Sequence, residues 1–345
     1  MIPTLFDSSA LQEFRAWTKR YRRFVIVTHV SPDGDAMGSA LAMLHYLQAK
    51  GCEAHVIVPN SFPDFFRWMP QVGSVVQYDF RSELGDSLLA EAEAVYCLDF
   101  NTLSRAGVVG EKLRTLGKPL MLIDHHPSPG NNFAATFSCP ALCATAEVLF
   151  RLIDEAGDAD LIGKECATCL YTGLMTDTGA FTYNSARPEI FAIVSRLLAC
   201  GIDKDYIYRR IFCAQSVGRM KLMGYALYAK MKIYPDLHSA LIWLTQDELK
   251  RFSYVKGDTE GFVNLPLQMK GIQFACFLRE DKTMIKVSLR SVGRFSCTDF
   301  AVSVFNGGGH RNASGGEFYG DMTAAVARFE AGLEQFRPQL EAQPR

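Results

Sequence analysis

The chain has 345 residues, 48% of them hydrophobic and 21% charged, enough for two domains with separate cores. Its 36 lysines and arginines against 37 acidic residues leave a formal net charge of −1. That balance excludes a generally basic surface of the kind that grips long nucleic acid, while a local pocket for a small anion stays compatible with it.

The opening segment MIPTLFDSSALQEFRAWTKRYRR lacks a basic-then-apolar signal pattern, and no apolar run approaches the roughly 18 residues that span a bilayer, so a cytoplasmic protein is expected. FVIVTH, ending at His29, reads as a buried strand. Pro32 and Gly34 break it, and Leu41, Leu44 and Leu47 recur at helical spacing, which predicts a helix over 39–50 with Gly51 as its stop. His29, Asp33 and Asp35 therefore fall on a strand-to-helix turn, the edge where open α/β sheets bind ligands, with Gly38 and Ser39 placed to receive an anion at a helix start. Two carboxylates so close repel each other unless a cation or protons compensate them, yet Asp-Gly-Asp is also common in solvated turns for local reasons.

Further along, AHVIVP, AVYCLDF and PLMLIDHH read as strands, and 110–116 and 144–155 as helices. The alternation predicts an α/β fold whose mostly parallel sheet carries helices on both faces. From Ile202 to Lys230 the text reads as continuously helical. Hairpin-like strands follow in KMKIYPDLHSALIWLT, IQFACFLRED and MIKVSLRSVG, then the glycine cluster NGGGHRNASGG. The expected organisation is a catalytic domain over 1–212, a helical linker over 213–230 and a smaller α/β domain over 231–340, with a disordered tail PQLEAQPR. The ten cysteines read as reduced thiols without framework spacing, and CATC at Cys166 to Cys169 as part of a helical core rather than a zinc or redox site.

Asp99 closes one strand pattern, Asp124, His125 and His126 close another, and Asp177 ends the helical run LYTGLMTD. The carboxyl ends of adjacent parallel strands lie side by side, so these residues can converge with the first turn on one crevice. Asp33, Asp35, Asp99 and Asp177 carry four negative charges, which two divalent cations would cancel. Oxygen ligands with imidazole and no thiolate point to Mn²⁺, Mg²⁺ or a neighbouring transition metal rather than a structural zinc.

Together, HVSPDGDAMGS, LDF, DHH, TDTGAF and GGGHRNASGG resemble, in order and over the whole chain, the DHH phosphoesterase superfamily with its DHH-associated C-terminal domain. Within it the chain is most similar to the two-domain bacterial nano-RNase and pAp phosphatase type, where pAp is adenosine 3′,5′-bisphosphate. The resemblance implies two divalent metal ions, Mn²⁺ first among them. It assigns His29, Asp33 and Asp99 to one ion and Asp35, Asp99, His125 and Asp177 to the other. It makes Asp124 the support of the neighbouring histidine and turns His126 to the substrate phosphate, so Asp99, Asp124 and His126 are the expected catalytic group. It implies too that Arg290 of VSLRS and His310 of GGGH bind a terminal phosphate or sugar while Gly307, Gly308 and Gly309 allow close approach, and that Arg105 touches phosphate.

Phe62, Phe65, Phe66 and Trp68 of SFPDFFRWMP read as packing residues more than as a base-stacking face, and His45, His55 and His238 as ordinary histidines. Cys143 stands where relatives tend to carry a small hydroxyl residue, which puts the phosphate contacts around Thr145 in question. The expected substrates are short oligonucleotides and nucleoside bisphosphates, with no membrane and no long duplex as partners, a ruler-like limit to a few nucleotides, and a homodimer among the open oligomeric states. Three alternatives stand beside this reading. A manganese pyrophosphatase would not need the GGGH segment. A cyclic-dinucleotide phosphodiesterase belongs to relatives that often add membrane and sensor segments. An inactive nucleotide sensor is opposed by the intact ligand set.

Overall fold

The computed structural model of the chain describes residues 2–213 and 215–342. It divides into two compact units, Met1–Ala214 and Gln215–Arg345.

In the first unit the elements run α1 (Ser8–Arg20), β1 (Arg23–Val27), α2 (Gly34–Ala49), β2 (Glu53–Val58), β3 (Val76–Gln77), α3 (Ser82–Glu91), β4 (Ala94–Leu98), α4 (Gly107–Thr115), β5 (Leu120–Asp124), β6 (Ala135–Ser138), α5 (Thr145–Glu155), α6 (Lys164–Asp177), α7 (Pro188–Ala199) and α8 (Lys204–Phe212). The six strands are parallel, in the order β3-β2-β1-β4-β5-β6. Strands buried on both faces need apolar side chains at every position, and strand alternation divides them into two cores. Phe24, Ile26, Tyr96, Leu98, Met121 and Ile123 face α1, α2, α5, α6 and α7, whereas Val25, Val27, Val95, Cys97, Leu120 and Leu122 face α3 and α4. Helices thus cover both faces, as the alternation of the sequence requires. The strand order reverses between β1 and β4, which opens a crevice beyond their carboxyl ends.

The second unit contains α9 (Val217–Ala229), β7 (Met231–Tyr234), β8 (Ser239–Leu244), α10 (Gln246–Arg251), β9 (Phe274–Glu280), β10 (Ile285–Ser291), α11 (Cys297–Phe305), β11 (Gly308–His310), β12 (Ala313–Phe318), α12 (Met322–Gln335) and α13 (Arg337–Glu341). Its sheet runs β11-β12-β10-β9-β8-β7. The pairs are antiparallel except β8 with β9, whose parallel pairing needs the long connection that holds α10 and a 3₁₀ segment over Phe262–Gln268. One face packs on α11 and α12 through Phe274, Cys276, Val287, Leu289, Phe300 and Phe329.

Some elements differ from the sequence reading. The helix expected from residue 39 starts at Gly34, because the Asp33 carboxylate caps it by accepting from the Asp35 and Ala36 N–H groups, both at 3.1 Å. The stretch from Ile202 to Lys230 is two helices: Ser216 caps a new start by accepting from Arg219 N at 2.9 Å. The unit boundary falls before that cap, and α9, read as linker from sequence, buries Leu222 and Ala226 beside Ile242 and Leu244 of β8. The tail is helical over Arg337–Glu341 because Leu340 has an apolar core to enter; Gln343 to Arg345 lie outside the described residues. Cys166 and Cys169 are buried in the core, as expected, and Phe62 and Phe66 pack inside while Trp68 meets Tyr206 edge-on at 5.5 Å.

Candidate metal centre

His29 lies two residues beyond β1, Asp99 directly beyond β4, and Asp124 ends β5, so the crevice where strand order reverses receives all three. Helices supply the rest. Asp33 and Asp35 stand at the start of α2 and Asp177 at the end of α6. These helices cross closely because Gly38 and Gly173 have no side chain: a Cβ at Gly38 would lie 2.6 Å from Cys169 O, and one at Gly173 2.7 Å from Asp35 Oδ1.

His29 Nε2 is 3.4 Å from Asp99 Oδ2 and 3.9 Å from Asp33 Oδ1. His125 Nε2 is 3.5 Å from Asp177 Oδ2, 3.7 Å from Asp99 Oδ1 and 3.9 Å from Asp35 Oδ2. Asp99 therefore stands between two donor groups, His29–Asp33–Asp99 and Asp35–His125–Asp177, and within each group the ligand atoms lie within 4.8 Å of one another. Both histidines turn Nδ1 to a main-chain carbonyl, of Val30 at 2.9 Å for His29 and of Leu142 at 3.4 Å for His125, which leaves Nε2 as the nitrogen that could coordinate an ion.

The carboxylates are held from behind. The start of α5 points Thr145 N at Asp35 Oδ2 (2.6 Å) and Ala146 N at Asp35 Oδ1 (3.0 Å), while Thr145 Oγ1 donates to Asp99 Oδ1 at 2.9 Å. Glu147, one residue further along α5 and fully buried, accepts from Cys143 N at 3.1 Å, Arg187 at 2.6 Å and Arg151 at 3.0 Å, which ties down the loop before that helix. Asp99 itself has φ +66°, a left-handed conformation that asparagine and aspartate tolerate better than other side chains with a Cβ. Asp124 Oδ1 accepts from His126 Nδ1 at 2.7 Å, and its Oδ2 is buried without a hydrogen-bond partner among the described residues. The histidine that Asp124 holds is thus His126, two residues along.

Electrostatics draw positive charge to the set. Burial, and then the charges of Asp99 and Asp177, push the Asp35 carboxyl well above the usual carboxylate range. Burial opposes charge on His29, yet its hydrogen bond to Asp99 and the Asp33 charge outweigh it and raise the imidazole to about 9. Asp99 moves down despite burial, because His29 hydrogen-bonds it and His125 adds its charge. Among the described residues no lysine or arginine pairs with Asp33, Asp35 or Asp99. Carboxylate and imidazole donors with a net negative charge fit divalent cations that favour oxygen and nitrogen.

Arg105 sits in the turn after β4, where its carbonyl accepts from Val30 N at 2.8 Å and its charge opposes protonation of His29. Arg290, Gly308, Gly309 and His310 belong to the second unit. There β10, β12 and β11 place Arg290, Ala313 and His310 opposite one another on one face of the sheet. Gly307 and Gly309 are set by backbone approach: a Cβ would meet Gly315 O at 1.9 Å in one case and Ala313 O at 2.7 Å in the other, whereas Gly308 faces open space. Sequence reasoning missed the cradle formed by Thr145, Ala146 and Glu147. Its signal was the TAE at the head of a helix, a threonine where the free N–H groups of a helix start lie.

Residues 23–174 match the DHH family N-terminal domain and residues 244–336 the DHHA1 domain. The chain is 31% identical to the bifunctional oligoribonuclease and PAP phosphatase NrnA of Thermus thermophilus over 91% of this chain and 89% of that protein. The chain belongs to the DHH family. As a DHH protein it is a metal-dependent phosphoesterase. A solved exopolyphosphatase-related protein from Bacteroides fragilis is 49% identical and superimposes with a TM-score of 0.94, covering 98% of this chain and 99% of that one. The cyclic-di-AMP phosphodiesterase PdeA of Listeria monocytogenes is 25% identical over 93% of this chain but only 48% of its own length. No described helix of this DHH protein is long and apolar enough to cross a membrane.

Proposed function

We propose that the protein is a cytoplasmic, two-metal phosphoesterase that hydrolyses very short oligonucleotides to mononucleotides and pAp to AMP, with Mn²⁺ as its preferred ion. The observation that carries this reading is the position of Asp99, shared between two donor groups that each offer a histidine and further carboxylate oxygen. In the proposal His29, Asp33 and Asp99 hold one ion, and Asp35, Asp99, His125 and Asp177 the other. Divalent ions bound there supply an activated water and polarise the phosphoryl oxygens, so no serine or cysteine nucleophile is required. His126, anchored by Asp124 through Nδ1, offers its other nitrogen to the phosphate. Arg105, beside His29, adds positive charge for a phosphate oxygen. The backbone donors of α5 keep Asp35, and the Thr145 hydroxyl keeps Asp99, from turning away as charge moves through the reaction.

Recognition is assigned to the second unit, where Arg290 and His310 share a sheet face and would hold a phosphate or sugar remote from the bond being cut. The relative from Thermus thermophilus, named for oligoribonuclease and PAP phosphatase activity and matched over nearly all of both chains, supports that substrate class. The cyclic-di-AMP relative is matched over about half its length and supports a second reading as a cyclic-dinucleotide phosphodiesterase less well. A panel of pApA, longer RNAs, pAp, cyclic dinucleotides and pyrophosphate, assayed for mononucleotide or phosphate release with Mn²⁺, separates the readings. Turnover of pApA and pAp is expected to lead; preference for a cyclic dinucleotide or pyrophosphate would overturn the proposal.

A further inference from the structure

In the second unit, the sheet face that carries Arg290 and His310 is only half covered. On β8 and β9 this face buries Ile242, Leu244, Ala275 and Phe277 beneath α9 and the 3₁₀ segment. On β10 and β12 it continues as Lys286, Ser288, Arg290, Ala313, Gly315 and Glu317, none of them buried. Where the covered half ends there is a pocket, whose polar wall is formed by Thr259, Glu260, Arg279, Lys286, Ser288 and Arg290.

The charges in that wall lean positive, with Arg279, Lys286 and Arg290 against Glu260. Arg279 on β9 and Lys286 on β10 stand directly opposite each other, an arrangement of like charges that costs stability. Arg279 is anchored: Nη1 donates to Tyr254 Oη at 2.8 Å and to Thr259 Oγ1 at 3.3 Å, and Nη2 to Asp281 at 3.3 Å. Lys286 makes no hydrogen bond or ion pair among the described residues. Glu317 lies opposite it on β12, but Glu317 Oε2 accepts from Tyr319 Oη at 2.8 Å and forms no ion pair with the lysine. Three cationic side chains thus line one pocket, one of them uncommitted, beside the Ser288 hydroxyl.

We propose that this pocket is a second anion subsite, in which Lys286, Ser288 and Arg279 take a phosphate group of the same nucleotide ligand whose nearer group is addressed by Arg290. Lys286 and Arg290 stand four residues apart on one face of β10, about 13 Å between backbone positions at strand rise, and so reach the pocket from opposite ends. The ligand class that would use both ends is a nucleotide with at least two phosphate groups, an oligonucleotide end or a nucleoside bisphosphate. The subsite rests on the reading of Arg290 as a nucleotide contact.

Two measurements test it, and the first needs no turnover. The enzyme, chelated so that pAp is not consumed, is treated with pyridoxal 5′-phosphate, a phosphate-bearing aldehyde that forms an imine with a lysine amine and releases water; borohydride then reduces the imine to a stable secondary amine. Peptide mass mapping is expected to find Lys286 labelled first, protected by pAp but not by adenosine. Labelling of Lys286 that pAp does not suppress, or that orthophosphate suppresses at the same concentration as pAp, would overturn the nucleotide subsite. The second measurement is the preference for pApA over ApA in kcat/KM, which is expected to fall about tenfold in Lys286→Gln and to be retained in Lys286→Arg; an unchanged preference in Lys286→Gln would overturn the proposal. If the unmodified enzyme cleaves neither dinucleotide, the proposed function fails, and the labelling result still decides the subsite.

Discussion

Asp35 at the start of α2 in the first unit and Lys286 on β10 in the second are both ionisable groups, and the protein treats them oppositely. Asp35 is fully buried and fixed through both carboxylate oxygens by backbone N–H groups, with its neighbour Asp99 locked by Thr145 and a left-handed backbone. Lys286 is exposed and bonded to nothing among the described residues, and the side-chain bond of Arg290 goes to the carbonyl of its own neighbour Leu289, at 3.0 Å. The contrast matches two tasks. Metal ligands must hold a geometry before substrate arrives, because displacement of reacting groups by even an ångström is costly. Groups that grip varied nucleotide ends gain from adaptable side chains and accept the entropy lost when they order.

The strongest way to break this contrast is at the shared ligand. Asp99→Asn keeps a residue that tolerates positive φ, so the fold should persist by circular dichroism while turnover is abolished on every substrate. The loss should exceed the roughly 10- to 100-fold attributed to residues that only support a ligand. A variant that keeps most of its activity would remove the shared position of Asp99 from the mechanism.

Metal removal should show the first unit to be metastable alone. At a Mn²⁺ concentration 100 times its dissociation constant the folded state gains about 2.7 kcal/mol, so a clear rise in Tm over the chelated protein is expected, with activity returning on Mn²⁺ addition. The pH dependence has a definite sign. His29 is raised from 6.5 to about 9, so its contribution to metal-free stability is complete below pH 6.5 and is lost as pH climbs to 9. Asp35, also raised, acts in the same direction. Metal binding needs deprotonated ligands and strengthens over that range. Differential scanning fluorimetry should therefore show the gap between Mn²⁺-loaded and chelated protein widening from pH 6.5 to 9; a narrowing gap would contradict the ligand assignment.

On the second unit the expected losses are smaller and selective. Arg290→Ala or His310→Ala removes a charged hydrogen bond worth roughly 1.5 to 3 kcal/mol, a fall of about 10- to 100-fold in kcat/KM for pApA. The same variants should lose far less on bis(p-nitrophenyl) phosphate, which offers no remote phosphate. Equal losses on both substrates would place these residues in the fold or the metal centre instead.

Thr145 sharpens the comparison from the other side, since it supports ligands without binding metal in the proposal. Thr145→Val keeps the backbone donor to Asp35 but deletes the hydroxyl bonded to Asp99, so metal affinity and activity should each fall about tenfold while Thr145→Ser restores both. A loss confined to thermal stability, with Mn²⁺ affinity unchanged, would make the hydroxyl a packing feature only.

Much of this division was legible in the sequence. Apolar runs ending in His29, Asp99 and Asp124 mark strand ends, and parallel strands place such ends together whatever their separation in the chain. The partner of Asp124 was legible too: along an extended segment residues i and i+2 face the same side, which pairs Asp124 with His126 and turns His125 towards the candidate metal ligands. What local pattern could not supply came from distant packing. The cradle of α5 is backbone chemistry and leaves little trace in side-chain identity. The parallel β8–β9 pair depends on where a long connection returns. The tail helix exists because Leu340 reaches a core built by the rest of its unit.

The smallest expected effect concerns salt and length. Net charge is −1, and the cations assigned to substrate in the second unit are few, with Arg290 and Lys286 foremost. For single strands the slope of log affinity against log salt is about −0.7 per phosphate neutralised, so two contacts give about −1.4, or roughly a sevenfold loss from 50 to 200 mM salt. A protein that followed a long strand would show a much steeper slope, because each further phosphate contact releases further counterions. The same scarcity of assigned contacts should cap the useful length: beyond about two to four nucleotides an added residue gains none of the assigned phosphate contacts, while it still loses conformational freedom on binding. Steady-state kinetics on RNAs of increasing length up to a 24-mer, each at two salt concentrations, should show kcat/KM peaking at the short end with a shallow salt slope throughout. A rate that rose steadily with length and collapsed in salt would require a basic track beyond the cations assigned to substrate, and would turn the reading from a nano-RNase to a processive exonuclease.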